Sequence, residues 1–356
     1  MAISIKTALR IPALAMMTML MASGMSMGQS FSLLAVTGGI TGTLNGSDYV
    51  NTFGTMNALG IGTPETGLTL AVLSNGALYF SEFQVQFTGL ATGHNASFTA
   101  YVSPNFTHSG AQVVEMCTST GACTSSSGYA AVSLSSASPS TIIASMGNTT
   151  ATVGIGVFLP DNDGAAAFTG ADGAAVVNLV MTDTTSGHKA TATWTFNGTP
   201  SQTVQDAVQL KLSTAPGGLT ISSGTSSDFS LAFGNVNGLG VGATNTVSAS
   251  GGTVYYTPYL LTPAFTDFTS TTATIKVYAS TTFAHPTILQ LKDAAASGGP
   301  YTVISTTVGS QTQITSTAGD RTSITRYLGL FVGYDNAASP FLGADSATLT
   351  YTMTVP

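Results

Sequence analysis

Charge is scarce in this 356-residue chain: Asp, Glu, Lys and Arg make up 6% of it, against about 25% in an ordinary soluble domain. The shortage is sharpest among the basic residues, of which there are 8. Nucleic-acid binding neutralises phosphates with clustered Lys and Arg, so that class is excluded, and docking on anionic membranes is disfavoured for the same reason. Glutamate occurs only as Glu65, Glu82 and Glu115, so carboxylate pairs for glycoside hydrolysis are not offered. The four histidines, His94, His108, His188 and His285, form no His-x-His or His-x-x-x-His pair, and the repeat described below is read as aligning none of them with another. Active sites gather several perturbed ionisable groups, and no segment here gathers them. Only a triad dispersed along the chain escapes such a reading. Helical periodicity is nearly missing, and no run is apolar for the roughly 20 residues that a spanning helix needs.

The first 28 residues read as a signal peptide. Lys6 and Arg10 give a positive start, Ile11 to Ala22 is apolar, and Ser26-Met27-Gly28 offers small residues at a cleavage site. The mature chain then carries 6 basic and 15 acidic residues, a net charge of −9. It is expected to be secreted or at the cell surface, with a periplasmic location left open, and not to insert into a membrane after cleavage. The two cysteines, Cys117 and Cys123, flank a Thr120-Gly121 turn signal, and in an exported chain they read as a disulfide across a hairpin. A loop this small restrains little chain entropy, on the order of 2 kcal/mol. Cys117→Ser is therefore expected to leave the protein folded at room temperature, as far-ultraviolet circular dichroism would show.

What the chain has in abundance is repetition. Phe53-Gly54-Thr55-Met56-Asn57-Ala58-Leu59-Gly60-Ile61-Gly62 returns as Phe233-Gly234-Asn235-Val236-Asn237-Gly238-Leu239-Gly240-Val241-Gly242. Tyr101-Val102-Ser103 is echoed by Tyr278-Ala279-Ser280, and Gly170-Ala171-Asp172 by Gly343-Ala344-Asp345. Collinear matches at a nearly constant offset mean two copies of one unit. Between the anchors lie short segments with period-2 alternation, such as Ala190-Thr191-Ala192-Thr193-Trp194-Thr195-Phe196, cut by Gly, Asn and Ser. The expected fold is all-β, with two tandem homologous antiparallel β-sandwiches of immunoglobulin-like or jelly-roll-like type. The copies are placed at 29–183 and 204–356. Residues 184–203 supply an extra strand and turn that either closes the first sandwich or stiffens the junction. Ser133 to Ser145 is the best candidate for a mobile loop.

Three groups stand out as candidate sites. Asp161-Asn162-Asp163-Gly164 begins like a calcium loop, but no third Asp and no closing Glu follow; a polar turn between strands is the favoured account, and no other cofactor is indicated. Tyr255, Tyr256 and Tyr259 could stack on a sugar ring or a partner if exposed. Their register matches Tyr79, Phe80 and Phe83, which favours a place in the core. Phe31, Leu33 and Leu34 lie in a segment, Gln29 to Val36, that is either the first strand of its own unit or an assembly strand for a neighbour's sheet edge. Tandem sandwiches behind a signal peptide resemble extracellular surface and appendage proteins. The leading expectation is a non-enzymatic secreted structural or cell-surface protein that self-associates or meets other extracellular proteins. A glycan- or ligand-binding module is the alternative, and a secreted hydrolase the third.

Overall fold

The computed structural model describes residues 30–35, 43–45, 48–61, 64–117, 123–196, 202–223, 228–241, 245–334 and 341–356. The signal-peptide expectation, the Thr120-Gly121 turn and the Asn197 to Pro200 turn lie outside them. The chain is all-β, with only two single-turn 3-10 segments and no α-helix among the described residues. Among the described residues no helix is long and apolar enough to cross a membrane. Two compact units emerge, one of residues 1–160 with 170–205, the other of 161–169 with 206–356. The segment 161–169, which the repeat assigns to the first copy, thus clusters with the second unit.

Along unit 1 run β1 (Ser30–Ala35), β2 (Thr43–Asn45), β3 (Asp48–Asn51), β4 (Gly54–Met56), β5 (Thr69–Leu73), β6 (Gly76–Thr88), β7 (Ala96–Val102) and β8 (Val113–Cys117). They are followed by β9 (Tyr129–Ala131), β10 (Ser140–Met146), β11 (Thr150–Pro160), β12 (Gly170–Ala171), β13 (Ala175–Asp183), β14 (Lys189–Phe196) and β15 (Gln202–Val204). One sheet has the order β1-β6-β11-β8-β9, and the facing one the order β10-β7-β13-β14-β3-β2. Pairing is antiparallel except between β14 and β3 and between β15 and β4, which are parallel. The expected mobile loop is half strand, since β10 pairs with β7.

Unit 2 contains β16 (Ala207–Thr214), β17 (Ser222–Ser223), β18 (Phe229–Ser230), β19 (Thr246–Ala249), β20 (Gly252–Thr266) and β21 (Thr272–Thr281). It continues through β22 (Leu289–Ala294), β23 (Thr302–Val303), β24 (Thr312–Gly319), β25 (Ile324–Gly333) and β26 (Thr348–Thr354). Its first sheet, β16-β20-β25-β22-β23, repeats the order of β1-β6-β11-β8-β9, with β19 on β20 as β5 is on β6. Its second, β24-β21-β26, repeats β10-β7-β13 and stops there.

Among the described residues, unit 2 shows no counterpart of β14, nor of the small sheet β12-β15-β4. In unit 1 the alternation of β14 places Ala190, Ala192, Trp194 and Phe196 inward, with Trp194 and Phe196 fully buried. Trp194 packs on Phe83 at 4.9 Å and Tyr49 at 4.5 Å, and Phe196 on Phe53 at 5.1 Å and Phe106 at 6.1 Å between ring centroids. The extra strand therefore closes the first unit rather than stiffening a junction.

Candidate binding site

The repeat makes the consequence for unit 2 readable residue by residue. Val177, Leu179 and Met181 of β13 pair with Val102, Ala100 and Phe98 of β7. Leu349, Tyr351 and Met353 of β26 pair with Ala279, Val277 and Ile275 of β21, which occupy the same places. All three inward residues of β13 are fully buried, because β14 covers them. Their counterparts on β26 stay half-buried. The same contrast holds for the aromatics that grip β14. Phe53 and Phe106 are buried, whereas Phe233 and Phe283, their counterparts, are half-exposed.

The space left open is a groove of about 2090 Å³. Phe229, Phe233, Tyr259 and Phe283 line it, the counterparts of Tyr49, Phe53, Phe83 and Phe106; Leu349 and Tyr351 line it from β26. Small-molecule sites run to roughly 300–1,000 Å³. This groove is larger, and it is bordered by β26, whose second edge pairs with no strand among the described residues.

Of the three candidate tyrosines, two face inward and one outward, as alternation requires. Tyr255 is buried, and its hydroxyl donates to the Asn237 carbonyl at 2.7 Å while accepting the Asn237 amide at 2.9 Å. Asn237 Oδ1 in turn accepts the amides of Leu239 and Val241. Tyr79 and Asn57 build the same clasp in unit 1, with Leu59 and Ile61. The long repeated motif is thus a tyrosine-buttressed loop, and glycine is needed at Gly60 and Gly240, whose φ values are +72° and +71°. Tyr259 is buried in a polar chain: its hydroxyl donates to Asp293 at 3.2 Å and accepts from Tyr351 at 3.1 Å, and Arg326 pairs with Asp293. Burial holds the Tyr259 hydroxyl well above the usual phenol range. Tyr256 points outward, its ring 5.8 Å from Tyr301 and 6.1 Å from Tyr327.

Phe31, Leu33 and Leu34 lie in β1, antiparallel to β6 with Phe31 opposite Phe87 and Leu33 opposite Val85; Phe31 is buried against Phe98. Cys117 and Cys123 form a disulfide, both buried, with 6.1 Å between Cα atoms.

Two histidines do align, against expectation. His108 and His285 share the 177-residue offset of Tyr101 and Tyr278, a signal present in the sequence but outside any search for adjacent histidine pairs. Each ring meets the repeated aspartate, His108 Nδ1 at 3.2 Å from Asp172 and His285 Nδ1 at 3.1 Å from Asp345. Burial pushes the Asp172 carboxyl up, but the His108 and Gly173 amides and the His108 ring outweigh it and hold it below the usual range. Asp345 is held low in the same way, by Ala284 and His285. In unit 1 the His94 ring, 2.9 Å from Asp183, is the main reason why that buried carboxyl lies far below its usual range. These are clamps between loops and strands, with the aspartates saturated by donors.

Asp161 and Asp163 sit in unit 2, and a cation is already beside them. Arg321 Nε lies 2.7 Å from Asp161, and Asp163 accepts the Phe268 amide at 3.1 Å. Among the described residues no three His, Cys, Asp or Glu side chains are placed to hold a metal ion.

No protein-family model matches the chain, and no curated protein does. Solved structures with some likeness are the CupB6 tip adhesin from Pseudomonas aeruginosa and a chaperone–tip adhesin complex of CFA/I fimbriae. The first is 10% identical, over 81% of this chain and 88% of that one, with a TM-score of 0.26. The second is 12% identical, over 86% and 95%, with a TM-score of 0.23.

The acidic groups predict how stability depends on pH. Burial, then the Asp320 charge, raises Asp161 to about 6 against the pull of Arg321. Burial likewise raises Asp163 to about 6 and Asp267 to about 7. Groups raised on folding hold more protons in the native state, so their contribution is full below the ordinary carboxylate range and is lost as pH rises towards 7. Asp172, Asp183 and Asp345, held low, act in the opposite sense and fail only as pH falls below about 4. Unit 2 is therefore expected to melt higher at pH 5 than at pH 7.5, and Asp267→Asn to flatten that slope, as scanning calorimetry would record. A melting point that climbs between pH 5 and 7.5 would contradict the assignment.

Proposed function

We propose that this chain is a non-enzymatic exported protein of the cell surface or periplasm that joins its assembly by accepting a β-strand from a protein partner into unit 2. The observation that carries the reading is internal: the strand orders of unit 1 recur in unit 2, with β14 beside β13 in the first and, among the described residues, no strand beside β26 in the second. Unit 2 leaves the inward residues of β26 only half-buried and, among the described residues, one edge of β26 unpaired, both of which a donated strand covers at once. Sparse charge on the chain suits this role, since little electrostatic repulsion guards the edge.

The test supplies the strand in cis. A flexible Gly/Ser linker followed by a second copy of residues 189–196 is appended after Pro356, and thermal unfolding is followed in the full chain. Completion worth about 3 kcal/mol raises the transition of unit 2 by about 10 °C. An unchanged transition would overturn the reading.

A second reading rests on the cluster of Tyr256, Tyr301 and Tyr327, aromatic rings of the kind sugars stack on. Quenching of tyrosine fluorescence by oligosaccharides, abolished in Tyr256→Ala, would support glycan binding there; no quenching would remove it.

A further inference from the structure

The groove records more than the need for a strand; it records which way the strand runs and what it carries. In unit 1, β14 runs antiparallel to β13, with Trp194 opposite Val177, Ala192 opposite Leu179 and Ala190 opposite Met181. Their places in unit 2 are Leu349, Tyr351 and Met353. The aromatic end of the unit 1 slot is formed by Tyr49, Phe53, Phe83 and Phe106, and aromatic residues return at all four positions as Phe229, Phe233, Tyr259 and Phe283. Along the rest of the slot Tyr351 stands for Leu179, Val277 for Ala100 and Ile275 for Phe98, while Met353 keeps the place of Met181.

We infer that the partner strand runs antiparallel to β26 and presents inward, at every second residue, small side chains opposite Met353 and Tyr351, then a large aromatic opposite Leu349 and another beyond it towards Phe233 and Phe283. This inference rests on the strand-acceptance reading above. The partner is thus an extended segment with the inward pattern small-x-small-x-aromatic-x-aromatic, read from its N-terminal end, and with polar residues between. Reversing the strand would drive a bulky ring against Tyr351 and leave the aromatic end unfilled. An overpacked core residue and a cavity are each destabilising, so direction and pattern specify one another.

The probe is a synthetic peptide with the sequence of residues 189–196, added to the full mature chain. Outward positions report direction by disulfide formation. In unit 1, Thr191 lies opposite Val180 and Thr195 opposite Val176; the matching positions on β26 are Thr352 and Thr348. With Thr352→Cys in the protein, the peptide carrying Thr191→Cys is expected to cross-link and the one carrying Thr195→Cys is not; with Thr348→Cys the preference inverts. The opposite pattern would overturn the direction while leaving strand acceptance standing. No cross-linking of either peptide above that to a scrambled control would overturn both. For the pattern, replacing the tryptophan equivalent to Trp194 by alanine, or the alanine equivalent to Ala192 by phenylalanine, should weaken binding about a hundredfold. Undiminished binding by both variants would overturn the small-then-aromatic code.

Discussion

Trp194→Ala is expected to unfold unit 1 preferentially, at a cost of about 3–5 kcal/mol, the range for removing a buried large aromatic. The residue is fully buried and meets three other aromatic rings, so the space it leaves does not collapse easily. The effect should appear in urea unfolding as an earlier first transition, with the transition of unit 2 unmoved. The variant is also a designed mimic: it gives unit 1 part of the opening that unit 2 has by nature. If both transitions shift equally, the units do not hold separate cores.

The second large effect lies in unit 2. Asp293 is buried and Arg326 nearly so, with side-chain exposures of 3% and 13%. Burial pushes the Asp293 carboxyl up, against the pull of Arg326. Asp293→Ala strands the guanidinium in the core and is expected to cost about 3–5 kcal/mol. Unit 1 shows the alternative solution, for Met116 stands at the place of Asp293 and Val153 at that of Arg326. Asp293→Met combined with Arg326→Val is therefore expected to be neutral or stabilising, since an apolar pair of fitting volume often equals a buried ion pair. Equal losses in the single and the double variant, measured by urea unfolding, would show that the pair is more than a replaceable contact.

The repeat was legible in the sequence because its anchors are residues with no substitute. Glycines at positive φ and an asparagine that caps its own loop survive divergence, so Phe53 to Gly62 and Phe233 to Gly242 still match. Alternation in residues 190–196 gave the strand and its inward face. The same reading set this strand outside the two copies; what it could not give is that the edge this strand covers on β13 has, among the described residues, no covering strand on β26. Absence leaves no motif, and the half-exposed Leu349, Tyr351 and Met353 read as an ordinary buried face until their neighbour is sought. The histidine clamps were hidden differently: His108 and Asp172 meet at 3.2 Å across 64 residues, a contact set by strand order rather than by spacing. Asp161 looked like the start of a calcium loop because the sequence does not show Arg321 arriving beside it from 160 residues away.

The central claim is that β26 lacks the neighbour that β13 has, and native-state hydrogen exchange on the mature chain alone tests it most directly. Amides of β13 that pair with β14 should exchange only when unit 1 opens, whereas their counterparts on the open edge of β26 should exchange faster by two orders of magnitude or more. Equal protection on the two strands would mean that the edge of β26 is already covered, and would contradict the account.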